Sequence, residues 1–270
     1  MGNEITESFE ARIHHRDHLC TMLRAGKSAQ SADQSFLGIG DPALDGDPDT
    51  ERRAPKLSNM IALRGGADVA DIRALPRLPE TADELRALQK TFNAPDGALM
   101  MGEDATEAAL KAKDVSGFRT LAFATHGLLA GEISGQEEPG LVMTPPKEAT
   151  AIDDGYLSAS DVAGLNLNAD VVLLSACNTA APEEVGAEGL SGLAKAFFFA
   201  GARNLVVSHW AVDSVATAKL TSAIFEDKAK GENMPYAYAL REAMREIRQE
   251  EGGKYAHPLY WGAFEVVGAD

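Results

Sequence analysis

Cysteine is nearly absent: among 270 residues only Cys20 and Cys177 occur. Two thiols cannot form a disulfide framework or fill a four-ligand zinc site, and such usage suits a reducing compartment. Positive charge is also short, with 25 Lys and Arg against 41 Asp and Glu and a formal net charge of −16. That balance argues against nucleic acid and anionic membrane surfaces, both of which are held through Lys and Arg. No stretch approaches the roughly 18 apolar residues of a membrane span, and the first residues carry no apolar signal core. A cytoplasmic location is the expectation. A phosphate-cradling loop is missing too: Phe36 to Pro42 holds Gly38 and Gly40, but lacks the third glycine and the following helix pattern. A nucleotide-binding domain is therefore the weakest reading. His14, His15 and His18 cluster near the start without Cys, His or acidic partners at ligand spacing, so no metal and no cofactor are expected.

Against these absences stands 45% hydrophobic content, enough for one substantial core. Residues 1–35 read as a polar, partly helical extension, and 36–270 as one domain. Short apolar runs ending in turn residues recur at Phe36 to Pro42, Leu121 to Thr125, Val171 to Cys177 and Leu205 to Trp210. Each reads as a buried strand. Between them lie helical patterns: from Thr81, expected as an N-cap, to about Phe92; from Ala105 to Lys113; from Gly189 to Ala200, stopped by Gly201; and two more over about 214–231 and 235–251. A Trp/Phe/Val strand closes the chain. Strands alternating with helices predict an α/β fold with a mostly parallel sheet covered on both faces.

In such sheets chemistry collects at the C-terminal strand ends. The run from Val171 ends at Cys177, followed by Asn178-Thr179, and Leu121 to Thr125 ends in His126-Gly127. A thiolate attacks acyl carbon, and a neighbouring imidazole lowers the thiol pKa and then protonates the leaving amine. His126 and Cys177 meet that need if their strands are neighbours. His126 lies 51 positions upstream (126 to 177), the caspase-like spacing, although the caspase cysteine signature itself is not met. Backbone N–H groups of Gly127 and Cys177 would form an oxyanion hole. Taken singly, a buried cysteine is ordinarily a small core hydrophobe and a histidine after a strand an ordinary loop residue. Their shared place at strand ends favours catalysis. His209 reads as a strand or core residue, and His257, before Pro258, as a turn residue with a structural hydrogen bond.

The set Ala124-Thr125-His126-Gly127, Leu174 to Thr179, Gly189 to Phe197 with Ala200-Gly201-Ala202, Trp210 to Asp213, and His257-Pro258 with Tyr260-Trp261 and Phe264 resembles the CHAT domain. That family comprises caspase-like cysteine peptidases often joined to tetratricopeptide repeats. The resemblance covers about Phe36 to Gly268. It implies a caspase-hemoglobinase-like three-layer sandwich related to separases, with His126 and Cys177 as the dyad and no cofactor. It also places Asp213 where separase-like relatives carry the acidic residue at the base of the pocket that takes a basic side chain. Separases flank this region with two aspartates, whereas Ala211 and Ser214 stand beside Asp213 here. The other reading of Asp213 is an N-cap of the following helix.

The function so implied is a cysteine endopeptidase cleaving a partner protein after Arg or Lys in a bacterial defence or regulated-death pathway. Its substrate would be a gasdermin-like pore former or another operon-encoded protein, with no nucleic acid and no membrane as partner. The competing class is a latent or non-catalytic caspase-like interaction domain.

Overall fold

In a computed structural model of the chain the described residues are 32–47, 67–175, 192–210, 212–230, 234–250 and 252–268. The sheet is built from runs that bury both faces by strict alternation. β1 (Gln34–Pro42) sends Leu37 and Ile39 to one side and Phe36 to the other; β3 (Phe118–Ala124) divides Leu121 and Phe123 from Ala122 and Ala124 in the same way. β7 (Val171–Ser175) and β8 (Asn204–Ser208) repeat the pattern with Val172, Leu174, Leu205 and Val207 against Leu173 and Val206. Two buried faces explain the uninterrupted apolar runs.

With the edge strand β2 (Leu99–Gly102) and the final β9 (Phe264–Gly268), these form a six-stranded sheet in the order β2-β1-β3-β7-β8-β9. All neighbours pair parallel except β8 with β9, which are antiparallel. The chain moves outward from β1 to β2 and then returns to the other side of β1, so the strand order reverses between β1 and β3. Crevices at such reversals are where α/β proteins place their sites. Gly40 permits the close approach there: a Cβ on it would stand 2.1 Å from the Ala124 carbonyl oxygen. The glycines of β1 thus serve strand packing.

Short α1 (Val69–Arg73) and then α2 (Pro79–Thr91) follow β1. Thr81, expected as the cap of α2, sits two residues inside it. The cap position is Leu78 with Pro79 at the first helical residue, because proline's fixed φ and missing N–H suit that place; the Thr81 hydroxyl donates to the Leu78 carbonyl at 2.7 Å. Leu85 and Leu88 of α2 join one core cluster with α6 (Ser214–Lys230) and α7 (Tyr236–Arg248). On the opposite face lie α3 (Glu107–Ala112), α4 (Ala159–Ala163) and α5 (Gly192–Ala200), through Leu110, Val162, Leu193 and Phe197. Ser158 and Asp161 close α4 with a full capping box. Gly201, at φ 119°, ends α5 where any side chain would meet the Leu167 carbonyl.

A second, antiparallel sheet holds β4 (Gly127–Leu128), β5 (Gly140–Val142) and β6 (Tyr156–Ser158); of these, the sequence pattern points to β5 alone, as a strand over Leu141 to Met143. This sheet hangs from the end of β3. Among the described residues no helix is long and apolar enough to cross a membrane.

Candidate functional site

β3 ends at Ala124, and the small sheet then fixes the chain around His126. The buried Thr125 hydroxyl donates to the Val142 carbonyl at 2.7 Å, and Val142 N–H donates to the His126 carbonyl at 2.9 Å. His126 is thereby clamped at the sheet edge, with its side chain buried. The bond from Val142 to His126 makes Gly127 and Leu141 a pair whose own N–H groups do not bond across the ladder. Gly127 N–H accordingly points away from β5.

The imidazole is oriented by a backbone carbonyl: His126 Nε2 lies 2.7 Å from the Pro76 oxygen. A carbonyl only accepts, so Nε2 carries the hydrogen and Nδ1 is the basic nitrogen. Pro76 is itself braced. It bridges to Gly46, whose carbonyl accepts from Arg77 N–H at 3.2 Å and whose N–H donates to the Leu75 carbonyl at 3.1 Å. Only glycine allows this contact, since a Cβ on Gly46 would stand 2.4 Å from the Leu75 oxygen. Neither Gly46 nor Pro76 offers a reactive side chain, and so neither stood out in the sequence.

Next to β3 lies β7, with Ala124 opposite Ser175. His126 follows the first of these by two residues, and Cys177 follows the second by two. Cys177, as nucleophile and as oxyanion donor, lies outside the described residues, as do Cys20 and the histidines at positions 14, 15 and 18. The strands proposed to carry the dyad are hydrogen-bonded neighbours running parallel. That was the condition the chemistry required.

Below this edge α2 contributes a carboxyl that sequence reasoning missed. Glu84 is buried, 3% exposed, and accepts a hydrogen bond from the Ser175 hydroxyl at 2.9 Å. Burial pushes its pKa up to about 8, an effect the Ser175 bond opposes and the nearby Glu80 charge reinforces. The available signal was its position on the inward stripe with Leu85 and Leu88.

β8 brings the remaining residues to the same edge. It stops at Ser208, so His209 lies beyond the strand instead of inside the core. The side chain of His209 is 39% exposed and meets Glu265 Oε2 at 2.9 Å. Asp213 is exposed; its Oδ1 accepts from Ala216 N–H at 3.0 Å and its carbonyl from Thr217 N–H at 2.9 Å. Those two bonds cap the start of α6. The buried carboxylate that the resemblance implies is, in this fold, an exposed capping one. His257 makes the structural bond expected of it, Nδ1 accepting from Leu259 N–H at 3.1 Å. Among the described residues no three His, Cys, Asp or Glu side chains stand close enough to hold a metal ion.

Tetratricopeptide repeat protein 28 of Mus musculus and that of Homo sapiens are each 31% identical to this chain over 114 residues, covering 42% of it and 4% of the relative. The chain thus spans a small fraction of those relatives' length. A family model for the CHAT domain matches residues 5–269, nearly the full sequence, and the chain belongs to the CHAT domain family.

Proposed function

We propose that this protein is a cysteine endopeptidase of caspase-like fold in which His126 and Cys177 form the dyad. The observation that carries the reading is the 2.7 Å contact between His126 Nε2 and the Pro76 carbonyl, made just past the end of β3, which pairs in parallel with the strand leading to Cys177. Membership of the CHAT family, within the caspase-like peptidase clan, supports it.

In the reaction the Cys177 thiolate attacks the scissile carbonyl carbon, and electrons move onto its oxygen. Gly127 and Cys177 N–H groups receive that oxyanion. His126 gives the proton it took from the thiol to the leaving amine, so a thioester and a free amine result. Water, deprotonated by His126 at Nδ1, then hydrolyses the thioester and restores the thiol. The residue before the scissile bond is basic, read by the Asp213 carboxylate. The substrate is a partner protein, a gasdermin-like pore former or another operon-encoded product, cleaved in the cytoplasm in a bacterial defence or death pathway. These last assignments rest on family resemblance.

Incubating wild type, Cys177→Ala and His126→Ala with Arg-, Lys- and Asp-terminated fluorogenic peptides tests the reading. Cleavage after Arg or Lys by wild type alone is expected, whereas cleavage after Asp overturns the specificity. A second reading, a latent interaction domain, is favoured by the capping role of Asp213. Failure of an Arg-chloromethylketone to label Cys177 with any operon-encoded partner present would select it.

A further inference from the structure

Glu84 is used by no step above, yet it is fully enclosed and contacts the strand that leads to the nucleophile. Its Oε2 takes the Ser175 hydroxyl hydrogen across 91 residues of chain, and its Oε1 is buried with no hydrogen-bond partner among the described residues. A buried carboxyl left half-paired costs free energy, so its place in the fold calls for a reason. The reason is visible in the register. Ser175 is the last described residue of β7, opposite Ala124 and two residues before Cys177.

We infer that Glu84 is a positioning residue: its carboxyl holds the Ser175 hydroxyl, and with it the end of β7, so that the nucleophile leaves the sheet from a fixed point. This rests on the peptidase reading for its consequence on rate, but not for its consequence on the thiol. The clasp operates in the neutral form. Burial keeps the proton on Glu84 to about pH 8; above that the enclosure opposes the ionised carboxylate, although the Ser175 bond favours it. The groups that face it are consistent with a neutral carboxyl. Glu80, one turn earlier on α2, opposes ionisation. Glu80 in turn faces Asp41 at the end of β1, around which Arg77, Arg86 and Asp83 also gather. The α6 residues in the apolar cluster that holds Leu85 and Leu88 are Ala216, Leu220, Ile224 and Phe225, none of which titrates.

The test uses two readouts on the full chain in a Cys20→Ser background: peptide hydrolysis, and the rate at which iodoacetamide alkylates Cys177, each followed from neutral to alkaline pH. Glu84→Gln keeps an acceptor for Ser175 and stays neutral. It is expected to match wild type at neutral pH and to hold its rate to higher pH. Glu84→Leu removes the acceptor and is expected to lower kcat by about tenfold with KM little changed, and to shift the alkylation profile. Ser175→Ala is the second variant, used if Glu84→Leu does not fold by circular dichroism, and is expected to behave likewise. Wild-type kcat and wild-type alkylation profiles in folded Glu84→Leu or Ser175→Ala would overturn the inference. If wild type hydrolyses no peptide while the alkylation profiles still separate as stated, the positioning role stands and the peptidase reading falls.

Discussion

The carbonyl oxygen of Pro76 sits 2.7 Å from Nε2 of His126, 50 residues away in sequence. A neutral carbonyl does there what a carboxylate does in many hydrolases: it selects the tautomer and holds the ring, without adding a full charge to stabilise the imidazolium. The quality of the site thus depends on a loop being in place.

Gly46→Ala tests that dependence. The new methyl would fall 2.4 Å from the Leu75 oxygen, so the loop that ends in Pro76 must move. The expected result is a kcat/KM reduced by about tenfold with a stability loss of roughly 1–3 kcal/mol. Steady-state kinetics and thermal unfolding on the same samples measure both. Unchanged kinetics would show that the Pro76 contact is dispensable.

Stability should depend on pH through Glu84, in a direction that can be worked out. Its pKa is about 8 in the folded chain against an ordinary 4.5. Below the lower value both states are protonated and nothing is lost. Between the two values the unfolded chain releases a proton that the folded chain keeps, so wild type loses stability as pH rises. The loss relative to Glu84→Gln is about 1.4 kcal/mol per pH unit and levels off once the folded carboxyl also ionises. Urea midpoints of the two proteins across this range should diverge with rising pH; parallel curves would contradict the buried, neutral assignment.

Asp213 can be separated into its two roles by a pair of substitutions. Asp213→Ala removes the Ala216 bond and should cost about 1 kcal/mol. Asp213→Asn keeps an oxygen for the cap but loses the charge, leaving stability close to wild type. If the carboxylate reads basic side chains, both variants raise KM for an Arg peptide; if it is a cap alone, Asn leaves KM where it was.

A basic-specific peptidase also leaves a mark on itself. The stretch 180–194 contains no Lys or Arg, whereas Arg52-Arg53 offers a paired basic site. N-terminal sequencing of aged wild type should find a cut after one of these arginines that is missing from Cys177→Ala. Its presence in both proteins would assign it to a contaminating protease.

Much of the fold is legible because β1, β3, β7 and β8 are covered on both faces, which forces continuous apolar runs between turn residues. His126 falls just past the end of β3, where the sequence puts it, for the same reason. Of the small sheet only β5 is legible, as the apolar run Leu141 to Met143; β4 and β6 escape because strands of two and three residues carry no periodicity. His209 escapes because β8 ends two residues before Trp210, while its apolar neighbours extend the apparent strand. Thr81 misleads because Pro79 starts the helix first. Pro76 and Gly46 act through backbone atoms, so residue type says little about their work. Glu84 resembles any other acidic residue near a helix start until Ser175 is brought beside it.

The pairing of β3 with both β1 and β7 has a kinetic consequence. The Gly46, Pro76, His126 and Ser175 contacts join segments that are distant along the chain, and parallel pairing cannot form from a local hairpin. Loop-closure entropy must be met before any of these contacts stabilises the fold, which makes such topologies slow to fold. A nascent chain that has not yet emerged through β7 holds the histidine but not the strand that leads to its thiol. On the proposed peptidase reading, the histidine and the strand that leads to the thiol therefore come together late, as a property of the completed sheet.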